Sequence, residues 1–288
     1  MDETEGRVLE GIPAHALSLR LARSTIKMRH TETWRVDKSN ETHDLVVCLT
    51  GSARYLLDGA EVTTTPGSAM LIPAGARFVG RNQAGETYTG IAQHFTLEIF
   101  GRVDLITAME LDTVASIRRW GLIEPLVRHY RDIAPGSSTT LTQHHLFMVI
   151  LLEYLETAFR GWRRETPALD PGDALSLHIM RVAAELAADP LGPETLAQAL
   201  AAAPYNAEYF RRAFREKIGW TPQKFLEFKK MEKAGSILVA GHSVKETAAI
   251  VGYEDPYFFS RMFKRYMGKS PANHQLRARE AGGWQFLE

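Results

Sequence analysis

The chain contains the stretch Gly252-Tyr-Glu-Asp-Pro-Tyr-Phe-Phe-Ser-Arg-Met-Phe-Lys-Arg-Tyr-Met-Gly-Lys-Ser-Pro271, a helical pattern with turn residues at both ends. Asp255 stands where a side-chain oxygen would cap the helix that follows. Phe259 and Phe263 are four residues apart and share one helix face, which predicts that they belong to the core. Basic residues occupy much of the remaining surface, so the outer face of this helix is predicted to be cationic.

The same pattern occurs a second time, 49 positions earlier in the chain. The identical residues are Phe210, Arg212, Phe214, Gly219 and Pro222, which precede Phe259, Arg261, Phe263, Gly268 and Pro271 by that interval. Such an offset predicts two copies of one supersecondary unit. A short helix, a tight turn and a helix with a basic face are typical of a helix-turn-helix. Two such units joined by one helix would reach successive major grooves of DNA, about 34 Å apart.

This stretch resembles the signature of the AraC family of bacterial transcription regulators, and the resemblance extends over residues 174–280. It implies an all-α DNA-binding domain with two helix-turn-helix units behind a cupin-like β-barrel, and contact with RNA polymerase, usually as an activator. The predicted fold class is therefore α+β multidomain. We expect an effector-binding β domain at 1–102, a helical dimerisation segment at 103–165, a linker at 166–173, the DNA-binding domain at 174–280 and a tail at 281–288.

The resemblance also assigns DNA contacts to individual residues. The base-reading positions fall on Glu208, Arg211, Arg212, Tyr257, Ser260 and Arg261. Arginine is suited to guanine and glutamate to cytosine. A structural ion pair or a phosphate contact remains the alternative for Arg212 and Arg261. Arg215, Lys264 and Arg265 are predicted to contact phosphates.

The first copy departs from the pattern in its turn. Ala203 stands where the second copy has Gly252, and Leu196-Ala197 lies about three positions upstream of the usual spacing. Either the turn is enlarged around Pro204 or the alanines shift the helix register. Each alternative would change the direction in which Glu208 points.

The overall composition is that of a folded protein with an uneven charge distribution. The chain has 288 residues, 45% of them hydrophobic and 24% charged, which excludes a disordered chain and predicts about two domains. The 34 basic and 34 acidic residues cancel, yet residues 193–280 carry 15 basic and 9 acidic side chains. This basic half favours nucleic-acid binding, with a solvated basic face as the alternative.

Several features predict a soluble cytoplasmic protein without membrane contact. Cys48 is the single cysteine, which excludes an internal disulfide and a Cys-rich zinc site. The first residues are acidic and polar, unlike a secretory signal. The longest apolar run, Leu146 to Leu152, is far shorter than the roughly 20 residues that span a bilayer.

The first hundred residues predict short strands separated by Gly and Pro, as in a sandwich or small barrel. The pair Asp58-Gly59 predicts a hairpin turn, with strands at 61–65, 68–72 and 87–97. From Val103 the pattern becomes helical. The helix predicted from Leu141 to Trp162 is apolar around most of its circumference, so it is either internal core or also pairs with its copy in a homodimer.

The residues available to an effector combine aromatic rings with Arg and His donors, which suit a sugar or a small carboxylate. They are Trp34, Arg35, His43, Arg54, Arg77, Phe78, Tyr88 and His94. His43 and His94 supply at most two of the three ligands that a metal usually needs, so no metal or other cofactor is predicted. No catalytic motif stands out, and we predict that the protein is not an enzyme. A cupin-type enzyme with a nucleic-acid-binding tail and a ligand-independent DNA-binding protein remain as alternatives.

Overall fold

The computed structural model describes residues 13–83, 87–163, 171–193, 195–201 and 204–282. Its strands are β1 (Leu17–Leu21), β2 (Ile26–His30), β3 (Arg35–Ser39), β4 (His43–Thr50), β5 (Ala53–Leu57), β6 (Ala60–Thr64), β7 (Ser68–Ile72), β8 (Arg77–Asn82), β9 (Tyr88–Ile99), β10 (Val103–Asp104), β11 (Met109–Leu111), β12 (Val114–Ser116) and β13 (Phe159–Trp162). Its helices are α1 (Leu105–Ala108), α2 (Trp120–Ile133), α3 (Leu141–Ala158), α4 (Pro171–Ala188), α5 (Thr195–Ala201), α6 (Ala207–Ile218), α7 (Pro222–Val239), α8 (Val244–Ile250), α9 (Pro256–Met267) and α10 (Pro271–Gly282). None of these helices has the length and apolar composition that a membrane-spanning helix requires.

The chain divides into two compact units, the first ending at Leu177 and the second beginning at His178. The boundary falls inside α4, which starts at Pro171, where a missing backbone N–H costs nothing. Asp173 lies in the first turn of this helix. Residues 166–170 of the predicted linker lie outside the described residues. The first twelve residues and the last six of the chain lie outside them as well.

The first unit contains two main antiparallel sheets, and β11 pairs with β13 in a separate two-stranded sheet. The larger has the strand order β1-β9-β4-β7-β12, with β2 and β10 also paired to β9, and the smaller has the order β3-β8-β5-β6. One hydrophobic core joins them, including Val46 and Met70 from the larger sheet and Tyr55 and Phe78 from the smaller. The sheets do not pair with each other at their edges. The described strands of the two main sheets therefore form an open sandwich, one of the two predicted alternatives, and the cupin-like barrel is not confirmed.

The hairpin predicted at Asp58-Gly59 is confirmed. Asp58 has φ 47° and Gly59 φ 87°, and the pair joins β5 to β6. A two-residue turn with positive φ at both positions matches the twist of antiparallel strands, which is why Asp-Gly occurs there.

The segment 103–165 is not helical throughout, contrary to the prediction. The strands β10 to β13 alternate with α1, α2 and α3, and β12 extends the larger sheet beside β7. Helix α3 ends at Ala158 rather than Trp162 because the next four residues pair with β11. Most of its apolar side chains, among them Phe147 and Leu151, are buried within the first unit.

The helices of the second unit repeat with the interval found in the sequence. The first and last residues of α5 and α6 each precede those of α8 and α9 by 49 positions. Gly219 at φ 89° and Gly268 at φ 74° end α6 and α9 in the left-handed region that glycine adopts without strain. The connecting helix α7 packs Met231 and Leu238 against α9.

Candidate nucleic-acid interface

The exposed face of α9 carries most of the residues predicted to contact DNA in the second copy. Tyr257, Arg261 and Lys264 lie at spacing i, i+4, i+7 and are exposed, with Tyr257 exposed by 81%. Arg265 is exposed beside them. Phe259 and Phe263 lie on the opposite face and are buried. The helix therefore separates a core-facing stripe from an aromatic and cationic stripe that faces solvent.

Ser260 differs from its neighbours because its hydroxyl already has a partner. It donates a hydrogen bond of 2.8 Å to the carbonyl oxygen of Pro256, one helical turn earlier. Serine inside a helix often bonds in this way. In this geometry the Ser260 oxygen has only acceptor capacity left for a base, which suits the exocyclic amino group of adenine or cytosine.

The corresponding face of α6 is richer in arginine. Glu208, Arg211, Arg212 and Arg215 are exposed at the positions that Tyr257, Ser260, Arg261 and Lys264 occupy in α9. The Arg211 guanidinium lies 2.6 Å from the Glu208 carboxylate. Exposed ion pairs of this kind contribute about 0–1 kcal/mol, so the pair orients Arg211 without preventing it from changing partner on DNA.

The helices of the two copies are separated by the same number of residues. In the first copy α5 ends at Ala201 and α6 begins at Ala207. In the second copy α8 ends at Ile250 and α9 begins at Pro256, which is the same spacing. Asn206 caps α6 and Asp255 caps α9, each through its side-chain oxygen. Ala203 lies outside the described residues. The capped starts of α6 and α9 thus put Glu208 and Tyr257 at equivalent positions.

Both helices place an aromatic ring under the arginine that they share. The Arg212 guanidinium lies 5.9 Å from the centroid of the Tyr209 ring, and that of Arg261 lies 5.6 Å from the centroid of Phe258. Both rings are 45% exposed. The residue pattern predicted Phe259 and Phe263 as core, but it assigned no role to Tyr209 and Phe258. Their spacing of three residues before an arginine in both copies is the signal in the sequence that identifies them.

The aromatic residues predicted to bind an effector form part of the sandwich core. Phe78 and Tyr88 are buried, and Trp34 packs on Tyr88 with ring centroids 6.1 Å apart. A Cβ at Gly80 would lie 2.8 Å from ring atoms of Trp34 and Tyr55. The space beside these rings is therefore closely filled.

The predicted effector arginines lie on the exposed side of the smaller sheet. Arg77 forms two hydrogen bonds of 2.9 Å with Asp37 on the neighbouring strand. This partner raises the pKa of Arg77 and lowers that of Asp37. Arg54 lies 3.7 Å from Glu61, and Arg35 is exposed on β3. These arginines do not meet the aromatic residues in one site.

His43 and His94 occupy polar positions in the larger sheet. The backbone N–H of Ala74 donates to Nδ1 of His43, so Nε2 carries the proton and donates to Asp104 at 2.8 Å. His94 Nε2 lies 3.4 Å from the carboxylate of Asp44 on the neighbouring strand. Burial raises the pKa of Asp44 to about 6 and lowers that of His94 to about 4. Among the described residues, no three His, Cys, Asp or Glu side chains are grouped to hold a metal ion.

Known proteins resemble the second unit of this chain. A model of a helix-turn-helix domain matches residues 196–277. The raffinose operon transcriptional regulatory protein RafR of Pediococcus pentosaceus is 37% identical over 71 residues, 24% of this chain and 26% of that protein. The MmsAB operon regulatory protein of Pseudomonas aeruginosa is 38% identical over 77 residues, 26% of this chain and 25% of that protein.

Among solved structures, a probable AraC family transcriptional regulator from Rhodopseudomonas palustris CGA009 has 20% identity to this chain. The alignment covers 35% of this chain and 96% of that one, with a TM-score of 0.33. The sequence matches and the helix pairs define the second unit as a helix-turn-helix DNA-binding domain. This domain is of the AraC type, which confirms the family resemblance found in residues 252–271. The matches span about a quarter of the length of either curated relative.

Proposed function

We propose that this protein is a sequence-specific transcription regulator of the cytoplasm that binds two half-sites in promoter DNA as a homodimer and responds to a small-molecule effector. The observation that carries the proposal is the repetition of one exposed basic stripe on α6 and α9, on the same helical frame. Base reading would fall to Glu208, Arg211, Arg212, Tyr257, Ser260 and Arg261, and phosphate contact to Arg215, Lys264 and Arg265. The regulator would act through contact with RNA polymerase, as an activator.

Preference for a particular DNA sequence is the direct test of this proposal. The full-length protein is expected to bind the promoter region of its own gene more tightly than random DNA of the same length, by 10³-fold or more at physiological salt. Fluorescence anisotropy of the two labelled duplexes, measured at several salt concentrations, gives the ratio. Equal affinity for both duplexes at moderate salt would overturn the proposal.

The effector would bind in a cleft of the first unit rather than between the sheets, where the space is filled. This cleft, beside α1 and β11, has a volume of about 520 Å³, which is in the size class of small-ligand sites. Its walls include Leu71, Ile106 and Met109, with Arg163 and Asp112 as charged groups. Arg160 pairs with Asp112, so that carboxylate is neutralised locally. Apolar walls with a guanidinium favour a small carboxylate with an apolar body over a sugar.

Thermal unfolding with ligands of equal chain length tests the chemistry of this cleft. Octanoate is expected to raise the unfolding temperature of the protein, while 1-octanol and octylamine have smaller effects, because Arg163 attracts the anion. The variant Arg163→Gln is expected to lose the advantage of octanoate over 1-octanol. An equal shift from all three ligands, or the same octanoate shift in Arg163→Gln, would contradict this assignment.

The two rival functions give different results in the same preparations. A cupin-type enzyme with a nucleic-acid-binding tail should contain stoichiometric iron, manganese or zinc by elemental analysis. A ligand-independent DNA-binding protein should bind its promoter with an affinity that no metabolite changes. The effector-responsive regulator should show a metabolite-dependent affinity, because a ligand shifts a protein only by binding one of its states more tightly.

A further inference from the structure

We infer that Tyr209 and Phe258 are positioning residues that orient Arg212 and Arg261 for base reading, one in each recognition helix. This inference rests on the proposed function and adds two specificity-determining residues to it. The residues stand three positions before the two arginines and are related by the interval that relates the rest of the repeat. The same device is therefore present twice in one domain.

Each arginine lies close to the aromatic ring three residues before it. The guanidinium carbons of Arg212 and Arg261 lie 5.9 and 5.6 Å from the centroids of the Tyr209 and Phe258 rings. These distances are within the roughly 6 Å range of a cation–π interaction. A planar guanidinium that rests on a ring loses less freedom when it meets a flat base edge than one that is fully solvated.

Each of the two rings also packs against a tyrosine. Phe258 packs on Tyr253, with ring centroids 5.8 Å apart, and Tyr209 packs on Tyr205 at 6.3 Å. The hydroxyl of Tyr253 donates in turn to the carboxylate of Glu227 on α7. Each aromatic ring therefore contacts a tyrosine as well as the arginine that follows it.

The Tyr209 and Phe258 rings are both partly exposed to solvent. Core packing does not account for these two rings, because each is 45% exposed while the buried stripe of its helix is filled by two other phenylalanines. An aromatic residue at the start of a recognition helix lies where side chains enter the major groove. Tyr209 and Phe258 thus place a ring where it can orient the guanidinium group of the adjacent arginine toward a base.

The test is a double-mutant cycle on the full-length protein. Wild-type protein is first used to select its preferred duplex from a random pool. Phe258→Leu keeps an apolar side chain but removes the ring face, and we expect it to weaken binding to the selected duplex about two- to fivefold, as expected for loss of an exposed cation–π contact. Binding to random duplexes should not change. In the background Arg261→Ala, the same substitution should have no further effect.

Controls separate positioning from folding and from the proposed function itself. Phe258→Tyr keeps the ring and should retain wild-type binding, and Tyr209→Phe should do so in the first copy. An equal loss from Phe258→Leu in the presence and absence of Arg261 would overturn the inference, as would a loss in Phe258→Tyr as large as in Phe258→Leu. If wild-type protein selects no preferred duplex, it is the proposed function that fails.

Discussion

Replacing Phe263 by alanine is expected to lower the unfolding free energy of the second unit by about 3–5 kcal/mol, the range for deleting a buried aromatic ring. The side chain is fully buried, and its ring centroid lies 5.7 Å from that of Phe259 and 5.4 Å from that of His274. It joins α9 to Met231 on α7 in one core cluster. Loss of the ring removes contacts that hold the recognition helix in place, so DNA binding should fall with stability.

Hydrogen exchange of the backbone amides of α7 and α9 measures this effect in the second unit alone, since exchange reports the stability of each region separately. The matched control is Phe258→Ala, which removes the same ring from the same helix at a half-exposed position. Its effect on stability should be a small fraction of that of Phe263→Ala. Similar exchange rates in both variants would show that Phe263 is not part of the core.

Arg261→Ala is expected to weaken binding to the preferred duplex by about 1–3 kcal/mol and to relax specificity at one base pair. The guanidinium is exposed on α9 and lies over the Phe258 ring, and in the proposed function its donors would make a bidentate contact with guanine. Titration of the variant against duplexes that differ at single positions identifies the base pair concerned.

Lys264→Ala is the matched control for charge, because it removes one positive charge one turn further along the same helix. It should weaken binding to preferred and random duplexes alike, and reduce the slope of affinity against salt by about 1. Should Arg261→Ala also weaken both duplexes alike, Arg261 would be a phosphate contact, the alternative that its residue type leaves open.

The helix boundaries of the second unit were predictable because the residues that begin and end its helices act locally. Asn206 and Asp255 cap helices, Gly219 and Gly268 end them, and each signal depends only on neighbouring residues. The interval of 49 positions between the copies independently predicted that the helices of one copy recur in the other. The buried faces of α6 and α9 followed from the positions of their phenylalanines.

The first unit was less predictable because its arrangement depends on pairing between distant strands. The strand β8 begins at Arg77 and carries polar residues on its exposed side, so its composition gives a weak strand signal. Arg77 looked suited to an effector, yet its partner Asp37 lies on β3, 40 positions away in the chain. Tyr88 and Phe78 have the composition of a ligand pocket, but the packing around Gly80 makes their environment a core. Residue type alone does not distinguish these cases.

Because α6 and α9 occupy equivalent positions in the two copies, their surface residues predict the base sequence of the DNA site. Of the four matched surface positions, only the one held by Arg212 and Arg261 has the same residue in both helices. A single domain would then recognise a guanine at the same place in two successive grooves, with unrelated bases around it. Each half-site of the operator would then be an imperfect direct repeat. The guanine common to both repeats would align the domain on the DNA, and the bases that differ would set its orientation.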